Sequence, residues 1–226
     1  MKASNVWVIV PVFNEADVVA DVIRRVQAQG YQVVCVDDGS TDSSAQVARM
    51  AGASLVVHPA NLGQGAAIQT GIDFALGRGA DLVCTFDADG QHDAGDLPIL
   101  VAALASQRAD FALGSRFLGN AIDLPPAREA LLRAAIAFTR LTTGLKVTDT
   151  HNGVRAMTRR AAACIHLRHN RMAHASEILT QIRRSRLRMI EVPVTVRYTE
   201  YSLKKGQRSL SAIRVLTDLA AGLMRL

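Results

Sequence analysis

Leu82-Val83-Cys84-Thr85-Phe86-Asp87-Ala88-Asp89-Gly90-Gln91 divides into two parts with different physics. Its first five residues are apolar or β-branched and read as a strand buried on both faces. The rest is polar: two carboxylates two positions apart, then a glycine suited to a turn. Working outward, Val6–Val10, Val33–Val36, Ser54–Val57 and Phe111–Leu113 are further short apolar runs bounded by turn residues. Between the runs, Glu15–Gln29, Asp42–Ala51, Gly63–Gly77 and Asp93–Ser106 carry helical patterns. Such alternation predicts an α/β fold with a mostly parallel twisted sheet and helices on both faces. In such a sheet the chemistry sits at the carboxyl ends of the strands. Polar motifs follow three of them, after Val10, Val36 and Phe86.

The rhythm changes after Gly119. Pro125-Pro126 opens a helical stretch over Ala127–Thr143, followed by a short extended piece at Gly153–Met157. Helical patterns cover Arg159–Leu167 and Ala173–Arg184, and Met189–Tyr198 alternates like a strand. Tyr201–Ser209 is expected to be a basic loop, and Ser211–Leu226 an amphipathic helix. No repeat or linker divides the chain, so residues 1–226 are expected to form a single domain.

A chain of 226 residues with 49% hydrophobic residues can bury a sizeable core. Aromatic residues make up only 4%, which argues against a base-stacking surface, and no nucleic-acid partner is expected. The net charge of +6 is unevenly divided. Residues 1–120 hold 7 Lys/Arg against 13 Asp/Glu, a balance of −6; residues 121–226 hold 19 against 7, a balance of +12. The first half is suited to a cation and the second to anions. Cys35, Cys84 and Cys164 lack paired spacing and are expected as free thiols of a reducing compartment. Met1–Asn5 shows no signal-peptide character, and no segment approaches the roughly 20 apolar residues of a membrane span. A cytoplasmic protein is expected. Cys164, His166, His169 and His174 match no common zinc spacing.

The polar motifs carry the chemistry. Asp87 and Asp89 can converge on one hard cation through oxygen ligands, and Mg²⁺ or Mn²⁺ there would bridge the diphosphate of a bound nucleotide. An acidic turn explains the same residues as well. In Asp37-Asp38-Gly39-Ser40-Thr41-Asp42, a carboxylate can accept from a base N–H or a ribose hydroxyl, while Gly39 to Asp42 read equally as a capped turn. In Pro11-Val12-Phe13-Asn14-Glu15, Pro11 is expected to stop the ladder and Glu15 to begin a helix, with Phe13 free to lie against a base or ribose.

Together, in this order and on successive strands, these segments resemble the family 2 glycosyltransferases. The likeness is greatest to their dolichyl- and polyprenyl-phosphate sugar synthases and runs from Val8 to about Leu219. Asn61-Leu62-Gly63-Gln64-Gly65, Gly114-Ser115-Arg116, Asp149-Thr150-His151-Asn152-Gly153-Val154-Arg155 and Glu191-Val192-Pro193-Val194 extend it. The resemblance implies a GT-A-type nucleotide-diphospho-sugar transferase fold and inversion at the anomeric carbon. It places the donor at Pro11, Phe13, Glu15 and Asp38, and the metal and diphosphate at Asp87 and Asp89. Gln91 would reach the diphosphate or the acceptor phosphate, and Arg116 joins the substrate-binding set. Lys204, Lys205 and Arg208 would close over the diphosphate and exclude water. Residues 1–120 would then bind donor and metal, and 121–226 the acceptor. Two features depart from the pattern: Val154 stands where an aromatic residue is common, and the membrane helices of many lipid-linked members are not expected here.

The leading expectation is transfer of a sugar from a nucleotide-diphosphate donor to a polyprenyl phosphate, which is already ionised and needs no base. Transfer to a glycan hydroxyl would need one, and Asp149 and Glu177 are the candidates. A non-catalytic nucleotide-sugar-binding module is the third possibility. Ala127–Thr143 pairs Leu131, Leu132, Ala135, Ile136 and Phe138 with Arg128, Arg133 and Arg140, which suggests peripheral contact with an anionic membrane surface or a membrane-protein partner.

Overall fold

A computed structural model describes residues 5–168, 173–199 and 201. The elements run β1 (Val6–Val12), α1 (Val19–Gln27), β2 (Gln32–Asp37), α2 (Ser44–Met50), β3 (Ser54–Val57), α3 (Gln64–Gly77), β4 (Leu82–Thr85) and α4 (Asp96–Ser106). They continue with β5 (Phe111–Ile122), α5 (Pro126–Thr143), β6 (Arg155–Thr158), α6 (Arg159–Cys164), α7 (Ala173–Arg184) and β7 (Met189–Arg197). The strands form one seven-stranded sheet in the order β3-β2-β1-β4-β6-β5-β7. β6 is antiparallel to both neighbours, and the other pairings are parallel.

Both faces of the sheet are covered, which is why the strands read as continuous apolar runs. In β1, Val6, Val8, Val10 and Val12 face α1, α2 and α4, while Trp7 and Ile9 face the α3, α6 and α7 side. Cys84 and Ala156 join the first core; Val83, Leu113 and Met157 join the second. Cys35 and Cys84 are buried free thiols, and burial pushes both up to about 12.

Several expectations at element ends are corrected. Pro11 does not stop the ladder: β1 continues to Val12, and Pro11 pairs with Val36. The Val12 carbonyl accepts from Asp38 on the β2 side. Alternation therefore puts the missing Pro11 N–H on the β4 side, where pairing ends at Ile9↔Thr85. Glu15 lies in a turn ahead of α1, its carbonyl accepting from the N–H groups of Val18 and Val19. The run at Phe111–Leu113 is only the start of a strand of 12 residues. Its pairing with β7 shifts register between Ser115 and Asn120. Gly119 permits the bend by close approach: a Cβ there would lie 2.3 Å from the Val194 carbonyl oxygen. The extended piece expected from Gly153 begins at Arg155. The basic loop beyond Tyr201 and the helix at 211–226 fall outside the described residues.

Candidate active site

The ends of β1, β2 and β4 and the beginning of the antiparallel β6 meet at one edge of the sheet. Thr85 Oγ1, at the end of β4, donates to the Gly153 carbonyl at 2.7 Å and draws the approach to β6 inward. Gly153 packs against Asp87 so closely that a Cβ would sit 1.8 Å from Oδ2. Any side chain at 153 would claim the place of the carboxylate. Asp87 Oδ1 accepts from Gln64 Nε2 at 3.1 Å, and Oδ2 lies 3.2 Å from His92 Nε2. Asp89 Oδ1 accepts from the Gln91 N–H at 3.0 Å.

The surroundings shift the two acids in opposite directions. Burial opposes ionisation of Asp87, but the hydrogen bond with His92 and the charges of His92, Arg155 and His174 outweigh it. Its carboxyl therefore sits below the ordinary carboxylate value. Burial, and next the charge of Asp87, push Asp89 up to about 6, against the pull of His92 and the Gln91 N–H. One charged acid resisting ionisation of the other is a donor set that a hard dication relieves. The chemistry of the Asp87 and Asp89 carboxylates fits a hard dication such as Mg²⁺ or Mn²⁺. Among the described residues no cluster of three or more His, Cys, Asp or Glu side chains stands ready to hold a metal alone.

The end of β2 is more enclosed. Asp38 Oδ1 meets His58 Nδ1 at 2.8 Å and the Leu62 N–H at 2.9 Å, and Oδ2 accepts from the Gly63 N–H at 2.7 Å. His58 Nε2 reaches Thr70 Oγ1 at 3.0 Å. Asp38 therefore ties down the turn that delivers Gln64 to Asp87. Asp37 accepts from the Ser40 hydroxyl and N–H. The end of β1 is fastened to this turn: the Asn14 N–H donates to Ser40 Oγ at 2.9 Å and the Glu15 N–H to Ser44 Oγ at 2.7 Å. Glu15 is buried and accepts from Tyr201 Oη at 2.7 Å, while Phe13 is 42% exposed at the rim.

Residues 7–165 match the family glycosyl transferase family 2. The chain belongs to that family. A polyprenol monophosphomannose synthase of Mycolicibacterium smegmatis is 31% identical to it, over 92% of this chain and 82% of the relative. A UDP-N-acetylglucosamine–dolichyl-phosphate N-acetylglucosaminyltransferase of Methanococcus voltae is 28% identical, over 97% and 96%. Glucosyl-3-phosphoglycerate synthase of Mycobacterium tuberculosis, solved with Mn²⁺, uridine diphosphate and phosphoglyceric acid, superposes with a TM-score of 0.71. At 19% identity over 96% of this chain and 79% of that one, it shows the shared GT-A fold.

In this glycosyltransferase Arg116 and Asp149 turn towards each other. Arg116 Nε donates to Asp149 Oδ2 at 2.6 Å and Nη2 to Oδ1 at 3.3 Å. Arg116 also donates through Nη2 to the His151 carbonyl at 2.9 Å and through Nη1 to Tyr198 Oη. Asp149 is 0% exposed. Burial works against the Arg116 charge, but Asp149 and Tyr198 more than compensate and raise its pKa.

Sequence reasoning assigned no role to Gln64, His92, Gly153 or Tyr201. Gln64 and Gly153 lie inside the motifs at 61–65 and 149–155 but read there as spacing. His92, directly after Gln91, carried no signal beyond adjacency, because its reach back to Asp87 depends on the turn. Glu177, the other base candidate, accepts from the Arg168 N–H at 3.1 Å through both oxygens. Lys204, Lys205 and Arg208 lie outside the described residues. Among the described residues no helix is long and apolar enough to cross a membrane.

Proposed function

We propose that this glycosyltransferase moves a sugar from a nucleotide-diphosphate donor to a polyprenyl phosphate, with inversion at the anomeric carbon. The observation that carries this reading is the Asp87–Asp89 pair after β4, with Asp87 held between Gln64 and His92 and Asp89 accepting from the Gln91 N–H. The names of the two relatives, both lipid-phosphate sugar transferases, supply the acceptor class.

Asp87 and Asp89 would hold Mg²⁺ or Mn²⁺, and the ion would supply positive charge to offset that developing on the departing diphosphate. Gln64 and His92 orient Asp87, and Gln91 reaches towards a phosphate. Pro11, Phe13 and Glu15 line the nucleoside end, and Asp38 shapes it through the turn before α3. An oxygen of the acceptor phosphate forms the new bond to the anomeric carbon from the face opposite the diphosphate. The old bond breaks with its electron pair on the nucleoside diphosphate. A phosphate acceptor arrives ionised, so no side chain has to take a proton. That suits an Asp149 committed to Arg116, and we assign the pair to holding the acceptor side of the site in shape. Lys204, Lys205 and Arg208 close over the diphosphate. The basic residues 121–226 receive the acceptor at a membrane surface, with the enzyme peripheral on its cytoplasmic face.

The test is incubation with a panel of nucleotide sugars, Mn²⁺ and membrane lipid extract, followed by product identification. A sugar–phosphate–polyprenol product is expected. Products formed only on soluble oligosaccharides would replace this reading with hydroxyl transfer.

A further inference from the structure

Arg155 opens β6 and is 3% exposed. Arginine carries five N–H donors and keeps its charge when buried, so an enclosed guanidinium ordinarily finds carboxylate or carbonyl oxygens. Arg116, at the same edge of the sheet, does so through Nε and both Nη atoms. Arg155 does not. Among the described residues its guanidinium donates no hydrogen bond and forms no ion pair. Burial opposes its charge, and the charges of Asp87 and Asp149 favour it without closing on it.

Its position faces the site. Arg155 pairs with Thr85 across the antiparallel ladder, two residues before Asp87. Paired residues share a face, and the partners at Val83↔Met157 belong to the α3, α6 and α7 side. Asp87 is approached from that side too, since Gln64 is the first residue of α3. Gly153, two residues earlier, lets the backbone that leads into Arg155 close on the Asp87 carboxylate, since a Cβ there would lie 1.8 Å from Oδ2.

We propose that Arg155 is a phosphate-binding residue, its guanidinium fork taking two oxygens of a phosphoryl group that enters beside Asp87. The inference rests on the nucleotide-sugar reading above. The phosphoryl group has two possible sources, the diphosphate of the donor and the phosphate of the acceptor. Either would supply the paired acceptors that this guanidinium lacks in the free protein.

The test uses the full chain and its Arg155→Lys and Arg155→Met variants. Calorimetry measures binding of inorganic pyrophosphate with Mn²⁺ as the donor probe. Farnesyl phosphate, added to the Mn²⁺–pyrophosphate complex, is the acceptor probe. Both variants should lose at least about tenfold in affinity for one probe, and the affected probe names the source. The rise in unfolding temperature that this probe gives the wild type should shrink with it. The lysine variant matters because it keeps the charge and loses only the fork. Since no hydrogen bond is lost in the free protein, Arg155→Met should unfold at or above the wild-type temperature without ligand. A structural role would reverse this pattern, lowering the ligand-free unfolding temperature and sparing affinity. Wild-type affinity of the lysine variant for both probes overturns the role of Arg155 alone. A wild-type protein that binds neither probe overturns the nucleotide-sugar reading with it.

Discussion

His92 Nε2 lies 3.2 Å from Asp87 Oδ2, and the other ring nitrogen, Nδ1, is buried with no partner among the described residues. The ring also meets Phe86 edge to face, with centroids 5.7 Å apart. His92→Phe should keep that packing and lose only the hold on Asp87. Groups that orient a metal ligand are typically worth about 10–100-fold in metal affinity or activity. Mn²⁺ affinity and transfer should fall by that order, with the unfolding temperature unchanged or raised. Wild-type Mn²⁺ affinity by calorimetry would remove His92 from the site.

Asp89 sets a pH dependence. Its folded pKa, about 6, lies above the ordinary 3.8. In the metal-free protein its contribution to stability is therefore fully present below 3.8 and lost as pH rises through about 6. Metal binding needs the ionised form, so it runs the other way: Mn²⁺ affinity should climb up to about pH 6 and then level off, with proton release on binding below that point. Asp89→Asn should nearly abolish transfer and flatten both profiles. Metal uptake without proton release at pH 5, measured in buffers of different ionisation enthalpy, would count against the assignment.

The parts of the site legible in sequence are those written locally. An apolar run ending in Asp87-Ala88-Asp89, or in Asp37-Asp38, announces a strand end and an acidic edge together. Pro11 misled because its missing N–H matters only on a side that has a partner, and sequence does not show where the β4 ladder stops. The long β5 was hidden for a similar reason. Ser115, Arg116 and Asn120 look like loop residues, and their strand exists through pairing with β7, more than seventy positions away. Arg155 could be quoted as part of a motif, but its nearness to Asp87 follows from the antiparallel register Thr85↔Arg155, which no local pattern encodes.

Asp38→Ala separates direct nucleoside contact from support of a turn. The carboxylate accepts from the N–H groups of both Leu62 and Gly63. Hydrogen bonds to a charged group are worth about 1.5–3 kcal/mol each, less where water can replace them as at these part-buried N–H groups. The unfolding midpoint in urea should fall, and donor affinity should drop by about one to two decades as Gln64 loses its position beside Asp87. Unchanged stability together with weakened donor binding would point to direct contact instead.

The Arg116–Asp149 pair should behave as a buried ion pair. Asp149→Ala leaves the guanidinium enclosed with one carbonyl and one hydroxyl, and removing one partner of such a pair costs about 3–5 kcal/mol. Replacing both, as Arg116→Met with Asp149→Leu, should cost less than Asp149→Ala alone. Urea unfolding of Arg116→Met, Asp149→Leu and the double variant completes the cycle. Additive losses would show that the pair is not a unit.

Membrane contact is the prediction on which the acceptor depends. The arginines of α5 are not bare charges. Arg128 lies over the ring of Tyr198, 5.1 Å from its centroid, and Arg133 lies over Phe117 at 5.0 Å. Arg133 Nη2 also meets Glu129 at 2.7 Å, and Arg140 Nε donates to the Val147 carbonyl at 2.7 Å. Each keeps its positive charge but spends part of it locally, so the roughly 1 kcal/mol expected per cation at an anionic surface is an upper value. Leu141, 85% exposed beside Arg140, adds apolar surface that can enter the headgroup region. The wild type should therefore bind anionic vesicles reversibly and release them as salt rises. Replacing Arg128, Arg133 and Arg140 with glutamate should weaken that binding and lower transfer to a polyprenyl phosphate in vesicles. Donor hydrolysis in solution should change little, since the acidic edge of the sheet is untouched. A wild-type protein that ignores anionic vesicles at low salt would exclude α5 as the membrane-facing element.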